Sequence, residues 1–320
     1  MQLRIAYITI ILLGLTAKIS QAQDKHTLSG TITDAGTGEA LIGAAIYITA
    51  LQKGAITNTY GFYSITFSSQ DSVSVVFSYV GYEPQVKKIP FIKSHRIDIQ
   101  LNTGEGLLDE VVIEAQRPDE NVQRAQMGTM DIPVTRIGEL PVILGETDIL
   151  KVVQLLPGIQ SGNEGTTGFF VRGGNADQNL VQLDEATVYN PNHLFGLFST
   201  FNSRALNNVT LIKGGFPAQY GGRLSSILHV TMKEGNNREM KGSGGIGLIT
   251  SQFSLEGPLK KSKASFIVSG RRTYIDLLAR PFTAPGNRSN YHFYDINAKL
   301  NWKPGERDRI FFSYFNGRDN

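Results

Sequence analysis

The sequence predicts a multi-domain, mainly β chain of 320 residues: a small β-sandwich, then an α/β domain, then the first strands of a transmembrane antiparallel β-barrel. Three observations carry this. Short apolar strands separated by turn residues fill Thr27 to Leu101, the spacing of a sandwich. Leu140 to Lys233 mixes one helical period with short strands and glycine pairs. Beyond Gly235, strands of about ten residues alternate apolar and polar, the period of a membrane barrel.

The chain opens with Arg4, an apolar run from Ile5 to Leu15 and then Ser20-Gln21-Ala22, with small residues three and one before a cut. This predicts a signal peptide over residues 1–22, too short for a spanning helix, and no cysteine follows to take a lipid anchor. Lys and Arg number 31 against 28 Asp and Glu; the leader holds Arg4, Lys18 and no acid, so the remainder carries a formal +1. Such balance gives no basic field for nucleic acid, and none is expected as a partner. The absence of cysteine excludes disulfides, thiolate metal sites and thiol nucleophiles.

In the segment 24–101, Leu28, Gly30 and Ile32 alternate, and Asp34-Ala35-Gly36-Thr37-Gly38 makes a turn. Further strands are predicted at Ala45–Thr49, Phe62–Phe67, Val73–Tyr79 and Arg96–Leu101. Gly30-Thr-Ile-Thr-Asp34, Thr37-Gly-Glu-Ala-Leu-Ile-Gly43-Ala44, Thr59-Tyr-Gly-Phe-Tyr-Ser-Ile65 and Phe77-Ser-Tyr-Val-Gly-Tyr82 together resemble the carboxypeptidase-regulatory-like domain. That resemblance implies a transthyretin-like β-sandwich without peptidase chemistry. His26 and His95 stand alone, without metal-ligand spacing.

Residues 102–125 form a linker with Gly104, Gly106 and Pro118. Within it Leu108-Asp109-Glu110-Val111-Val112-Ile113-Glu114-Ala115 is a β-branched run in acidic surroundings. Such a run either adds to another protein's sheet edge or is an ordinary strand of the sandwich. It resembles the TonB box, which implies that Asp109, Glu110, Val111, Val112, Ile113, Glu114 and Ala115 pair with a TonB-type energy-coupling protein.

In residues 126–235, Ile149, Val152, Val153 and Leu156 fall at helical spacing, with Thr147 as N-cap and Pro157-Gly158 as terminator. Strands are predicted at Gly168–Arg172, Asn179–Leu183, Thr187–Tyr189, Val209–Lys213 and Ile227–Lys233, with a helical turn over Asn202–Leu206. Leu156-Pro-Gly-Ile159, Phe170-Val-Arg-Gly-Gly174, Asp177-Gln-Asn-Leu180, Val188-Tyr-Asn-Pro191, His193-Leu-Phe-Gly-Leu-Phe-Ser199 and Lys213 through Ser226 resemble the plug domain of TonB-dependent receptors. One departure is Glu185, after Leu183-Asp184, where that family usually has glycine. The resemblance implies that Arg172 and Arg223, beside glycine turns, meet glutamates on the inner barrel wall, since a buried guanidinium needs a carboxylate. His193, in a loop with Tyr189, Asn190 and Asn192, is expected to pack that loop.

Residues 236–320 set Tyr294, Ile296, Ala298, Leu300 and Trp302 against Asp295, Asn297, Lys299 and Asn301. Ala264, Phe266 and Val268 against Ser265 and Ser269 repeat the pattern, as do Ile310, Phe312 and Tyr314. An ordinary soluble sandwich gives the same alternation, and it is the preceding plug-like segment that favours the barrel. Gly257–Lys263 and Pro304–Asp308 are short connections, Arg271–Asn290 is long, and strand parity requires a tight reversal near Gly247–Ser251, making five strands. A barrel holding a plug needs about 22 strands, so the chain reads as part of a longer receptor.

Gly242-Ser-Gly-Gly-Ile-Gly247 fits G-x-G-x-x-G but lacks the strand, helix and acidic residue of a nucleotide site, and no hydrolase, zinc-protease or P-loop motif occurs. No enzyme activity, cofactor or metal is therefore expected. The resemblance implies a bacterial outer-membrane location, lipid contact, a surface lipoprotein partner and energised uptake of a small nutrient ligand. The alternative is a periplasmic binding or signalling module displayed by an outer-membrane anchor without transport.

Overall fold

The computed structural model describes residues 25–68, 70–104, 128–134, 147–162, 166–279, 281, 291–305 and 308–320. The leader and the run Leu108–Ala115 lie outside the described residues.

The first unit is a sandwich of two sheets. Its strands are β1 (Lys25–Asp34), β2 (Ala45–Ile48), β3 (Lys53–Ile56), β4 (Phe62–Ser68), β5 (Gln70–Ser78), β6 (Gln85–Phe91), β7 (His95–Arg96) and β8 (Ile99–Leu101). One sheet runs β4-β1-β7 with β8 also on β1, the other β3-β2-β5-β6. Alternating burial along β1 sends Leu28 and Ile32 into a core with Ile46, Phe77 and Phe91. The Asp34 turn closes on its own side chain, whose Oδ1 accepts from the amides of Gly36 and Thr37 at 2.5 and 2.8 Å. Two strands lie outside the sequence prediction. β3 is short and begins Lys-Gly, and β6 carries Lys87, Lys88 and Pro90, which mask its alternation. Proline is tolerated there because β6 is an edge strand.

The middle segment is a mixed sheet carrying a short helix. Its strands are β9 (Thr129–Pro133), β10 (Ile159–Ser161), β11 (Phe169–Val171), β12 (Asn179–Leu183), β13 (Ala186–Thr187), β14 (Asn192–His193), β15 (Phe198–Ser199), β16 (Leu206–Ile212) and β17 (Ser226–Met232). The main sheet runs β13-β12-β17-β16-β9, with β12 and β17 parallel, while β10-β11 and β14-β15 are separate hairpins. Helix α1 (Ile149–Gln154) buries Ile149, Leu150 and Val153 against Val171, Val209, Leu228 and Val230. Its cap is Asp148, not Thr147: the Asp148 carboxylate accepts from the Leu150 amide at 2.8 Å. The β12-β13 hairpin turns through Asp184 (φ 45) and Glu185 (φ 69), so both central residues are left-handed despite the missing glycine.

The last unit is an open antiparallel meander of five strands, in the order β18 (Lys241–Ile246), β19 (Thr250–Lys260), β20 (Ala264–Thr273), β21 (Phe293–Trp302) and β22 (Ile310–Asp319). The reversal between β18 and β19 lies at Gly247–Ile249, where the Gly247 amide donates to Thr250 O at 2.8 Å. Burial on β21 is inverted relative to a soluble protein. Asp295, Asn297, Lys299 and Asn301 are buried, while Ile296, Leu300 and Trp302 are 43%, 43% and 51% exposed. Among the described residues no helix is long and apolar enough to cross a membrane, which says nothing of a β-barrel.

Candidate functional site

The polar inner face of the meander is buried against the middle segment, and three clusters of polar contacts, besides a bond from Arg204 to Ser243 on β18 at 3.3 Å, fasten the two among the described residues. The first lies near the end of β21 where the long β20-β21 connection departs. His193 on β14 is 3% exposed, with Nε2 2.7 Å from Asp295 Oδ1 and Nδ1 2.9 Å from Asp319 Oδ2. Arg271 on β20 donates from Nε to Asp295 Oδ2 at 2.8 Å and from Nη2 to Ser199 O at 2.6 Å. The Ser199 amide in turn donates to the capping carboxylate of Asp148 at 2.7 Å, so α1 joins the same network.

The second contact centres on Asp184, at the left-handed turn after β12. Its carboxylate takes the Met232 amide at 2.9 Å, Lys299 Nζ at 2.9 Å and Ser313 Oγ at 2.5 Å. Lys299 also donates to Met232 O at 3.2 Å. Two flanking strands thus converge on one carboxylate at the turn that carries glutamate in place of glycine. The third contact pairs Arg309 with Glu234, and Ser265 Oγ donates to Glu234 O at 2.8 Å.

The sandwich is fastened at this same end. Glu39 Oε1 accepts from the amides of Glu234 and Gly235 at 2.7 and 3.1 Å. Tyr60 stacks on Phe311 with centroids 5.8 Å apart and donates to Glu185 at 3.1 Å. Burial, with Glu256 and Glu234 nearby, pushes the Glu39 carboxyl up to about 7 against the pull of Lys233. Between these units opens a cleft of about 740 Å³ lined by Tyr60, Glu185, Tyr189, His229 and Tyr314. Burial drives the His229 pKa down, opposed by Asp184 and Glu185, so the cleft offers a neutral imidazole, phenols and a carboxylate to a polar ligand.

The arginines singled out by sequence lie elsewhere. Arg172 is exposed and left-handed (φ 50) ahead of Gly173 (φ 79), and the turn closes through the Gly174 amide onto Val171 O at 2.9 Å. A Cβ on Gly174 would come within 2.6 Å of the Ser225 side chain, so the glycine pair serves both curvature and close approach. Arg223 is half-buried and donates to Gly222 O at 2.9 Å. Among the described residues neither guanidinium has a carboxylate within salt-bridge distance. The residues that do meet the meander, His193, Asp184 and Glu234, were not singled out for that contact. Their partners Asp295 and Lys299 lie on the polar face of the predicted alternation, which was the available signal. The described residues hold no cluster of histidines and carboxylates suited to a metal.

Residues 28–113 match the CarboxypepD_reg-like domain, and residues 141–226 match the TonB-dependent Receptor Plug Domain. The chain is similar to TonB-dependent receptors, and residues 141–226 carry their plug domain. It is 29% identical over 225 residues to TonB-dependent receptor P26 of Formosa agariphila, covering 65% of this chain and 21% of that one. It is 24% identical over 246 residues to TonB-dependent receptor SusC of Bacteroides thetaiotaomicron, covering 71% and 23%. The chain therefore spans about a fifth of the length of the curated relatives it matches. The siderophore receptor PirA from Pseudomonas aeruginosa is similar over 60% of this chain and 35% of its own, at 18% identity and a TM-score of 0.43. These relatives are named as receptors, not enzymes, and TonB-dependent receptors are outer-membrane proteins. The middle segment carries the plug match, and the meander is the sheet that walls its polar side. The first match runs through residue 113, into the Val111-Val112-Ile113 run read as a TonB-box-like segment.

Proposed function

We propose that this chain is the N-terminal portion of an outer-membrane transporter that takes up a nutrient ligand with energy from a TonB-type coupling protein, its plug gating the barrel. The observation that carries the reading is the inverted face of β21. Asp295, Asn297, Lys299 and Asn301 are buried, Asp295 and Lys299 against His193 and Asp184 of the plug, while Ile296, Leu300 and Trp302 face outward. An outward apolar face suits lipid, and an inward polar face suits a lumen that holds a polar plug.

The domain boundaries of the proposal are a leader over 1–22, the sandwich over 24–101, a linker over 102–125, the plug over 126–235 and wall strands over 236–320. The sandwich and plug lie on the periplasmic side, because the sandwich docks at the end of the wall with the short connections at Lys261–Lys263 and Lys303–Arg309. Asp109 to Ala115 is the segment offered to the coupler as an added strand. Arg172 and Arg223 meet carboxylates on wall strands beyond β22. The display-only alternative draws no support from the comparisons.

The test uses the full-length receptor in its own outer membrane. Leu300→Arg, on the outward face, is expected to cost about 2–4 kcal/mol of insertion at mid-membrane and to lower the assembled receptor in outer-membrane fractions. An Arg at exposed Leu155 on the plug leaves assembly unchanged. Equal assembly of the two would refute the wall. Unchanged ligand uptake after deletion of Leu108–Ala115 would refute the coupling.

A further inference from the structure

We propose that His193 is a protonation-controlled latch: as imidazolium it fastens the outer end of the plug to the wall, and as neutral imidazole it releases it. The inference deepens the proposed function and rests on reading β18–β22 as the wall around the plug.

The geometry fixes the protonation requirement. Both ring nitrogens face carboxylate oxygens, Nε2 at 2.7 Å from Asp295 and Nδ1 at 2.9 Å from Asp319. A neutral imidazole has one N–H donor and one lone pair, so it satisfies one aspartate and turns a lone pair on the other. Only the imidazolium donates to both. Charge points the same way. Two cations, His193 and Arg271, face Asp295 and Asp319, with the Asp148 carboxylate a further anion behind Ser199. Asp295 is 0% exposed and Asp319 reaches solvent, with its side chain 46% exposed, so loss of the imidazolium proton leaves excess negative charge beside a buried carboxylate.

The charged groups that face the ring come from every strand packed on it. Asp295 comes from β21, Asp319 from β22 and Arg271 from β20 through Asp295, while Asp148 of the plug lies one step behind through Ser199. Phe293 stacks on the imidazole with centroids 4.3 Å apart and planes 7° from parallel. Gly317 leaves the room: a Cβ there would stand 2.8 Å from Asp295 Oδ1 and 3.3 Å from His193 Cε1. The ring sits at the start of a loop in which Leu194 (φ 47) and Phe195 (φ 57) are both left-handed. Two adjacent non-glycine residues in that region store strain, held in place while the latch is closed. The Leu194 amide donates to Asp319 Oδ1 at 3.3 Å, so the strained residue is bound to the latch carboxylate directly.

Burial by itself would lower the His193 pKa, but the hydrogen bonds and charges of Asp295 and Asp319 outweigh it and the net shift is upward. A group raised in the closed state contributes fully below its ordinary value, and its contribution is lost as pH rises through the raised value. Alkaline conditions therefore loosen the outer end of the plug.

The experiment measures hydrogen-exchange protection factors of the amides of 194–200 in the full-length receptor in lipid nanodiscs, between about pH 6 and pH 9, a range that brackets histidine titration. Wild type is expected to lose protection progressively as pH rises across that range. His193→Gln is expected to be poorly protected at both ends with a flat profile. Asp319→Asn removes one of the two anions and moves the midpoint to lower pH. His26→Gln, in the sandwich, keeps the wild-type profile. A wild-type profile flat in protection factor, or an unshifted midpoint in Asp319→Asn, would overturn the latch. Should His193→Gln fail to assemble, the Asp319→Asn midpoint decides. A receptor that takes up no ligand would remove the transport reading and leave these protection factors unaffected, so the two failures are distinguishable.

Discussion

The Asp184–Lys299 pair is the sharpest place to measure how firmly the plug is held. Both side chains are nearly buried, at 9% and 6% exposure, and they sit on opposite sides of the plug–wall seam. Removing one partner of a buried ion pair costs about 3–5 kcal/mol, because the other charge stays buried and unmatched. Lys299→Met leaves Asp184 with two donors, the Met232 amide and the Ser313 hydroxyl, which places the loss near the low end, about 3 kcal/mol. Asp184→Asn keeps the left-handed turn, since asparagine tolerates that region, but leaves the ammonium without a counter-charge, beside the Met232 carbonyl and the Phe311 ring. Its cost is accordingly higher, about 4 kcal/mol. In the double variant the second change removes the stranded charge, so the total falls short of the sum by about 2 kcal/mol. The assay is a urea titration of the receptor in lipid vesicles, with the midpoint of tryptic release of the plug as readout. Additivity within about 0.5 kcal/mol would refute the pair as a coupled plug–wall contact.

Two further outcomes follow from contacts at the other end of the wall. Glu39, with its carboxyl pushed up to about 7 from 4.5, favours docking of the sandwich fully below about 4.5 and loses that contribution as pH rises through about 7. Exchange of the Glu234 and Gly235 amides should therefore quicken, relative to the intrinsic rate, between pH 5 and 8 by more than in Glu39→Gln, whose profile is expected to be flat. Gly235→Ala puts a Cβ 2.3 Å from Phe266 O at a φ of 82, so strain and backbone clash together cost about 3 kcal/mol or more. A fall in the thermal unfolding midpoint of the receptor checks this, and an unchanged midpoint would contradict the close approach of the plug–wall junction to β20.

Much of the fold is legible in the residues. Period-two runs place β1, β4, β20 and β21, and the helical spacing of Ile149, Val152, Val153 and Leu156 places α1. The cap shifts by one residue because Asp148, not Thr147, has its carboxylate over the Leu150 amide, a choice made by backbone geometry. The turn at Asp184-Glu185 keeps its left-handed pair without glycine. Asp184 is bound there by Met232, Lys299 and Ser313, none of which is local in sequence. The strand β6 escapes prediction because its lysines and Pro90 belong to an edge, and edges obey rules that alternation does not express.

The sequence by itself determined the order of the units, the period of each strand and the glycine turn around Arg172, since these depend on near neighbours and on side-chain chemistry. It also determined that β21 has one apolar and one polar face. Which face is buried was decided only by the tertiary structure. Alternation is symmetric under exchange of inside and outside, and the asymmetry comes from what packs against the strand. Here that is the plug, whose His193, Asp184 and Glu234 compensate polar groups of the wall. His193 illustrates the limit: in the sequence it is a loop histidine, and its two aspartates lie 102 and 126 residues away. Long-range charge pairing of that kind leaves no local periodicity, so only the folded chain brings the three groups together.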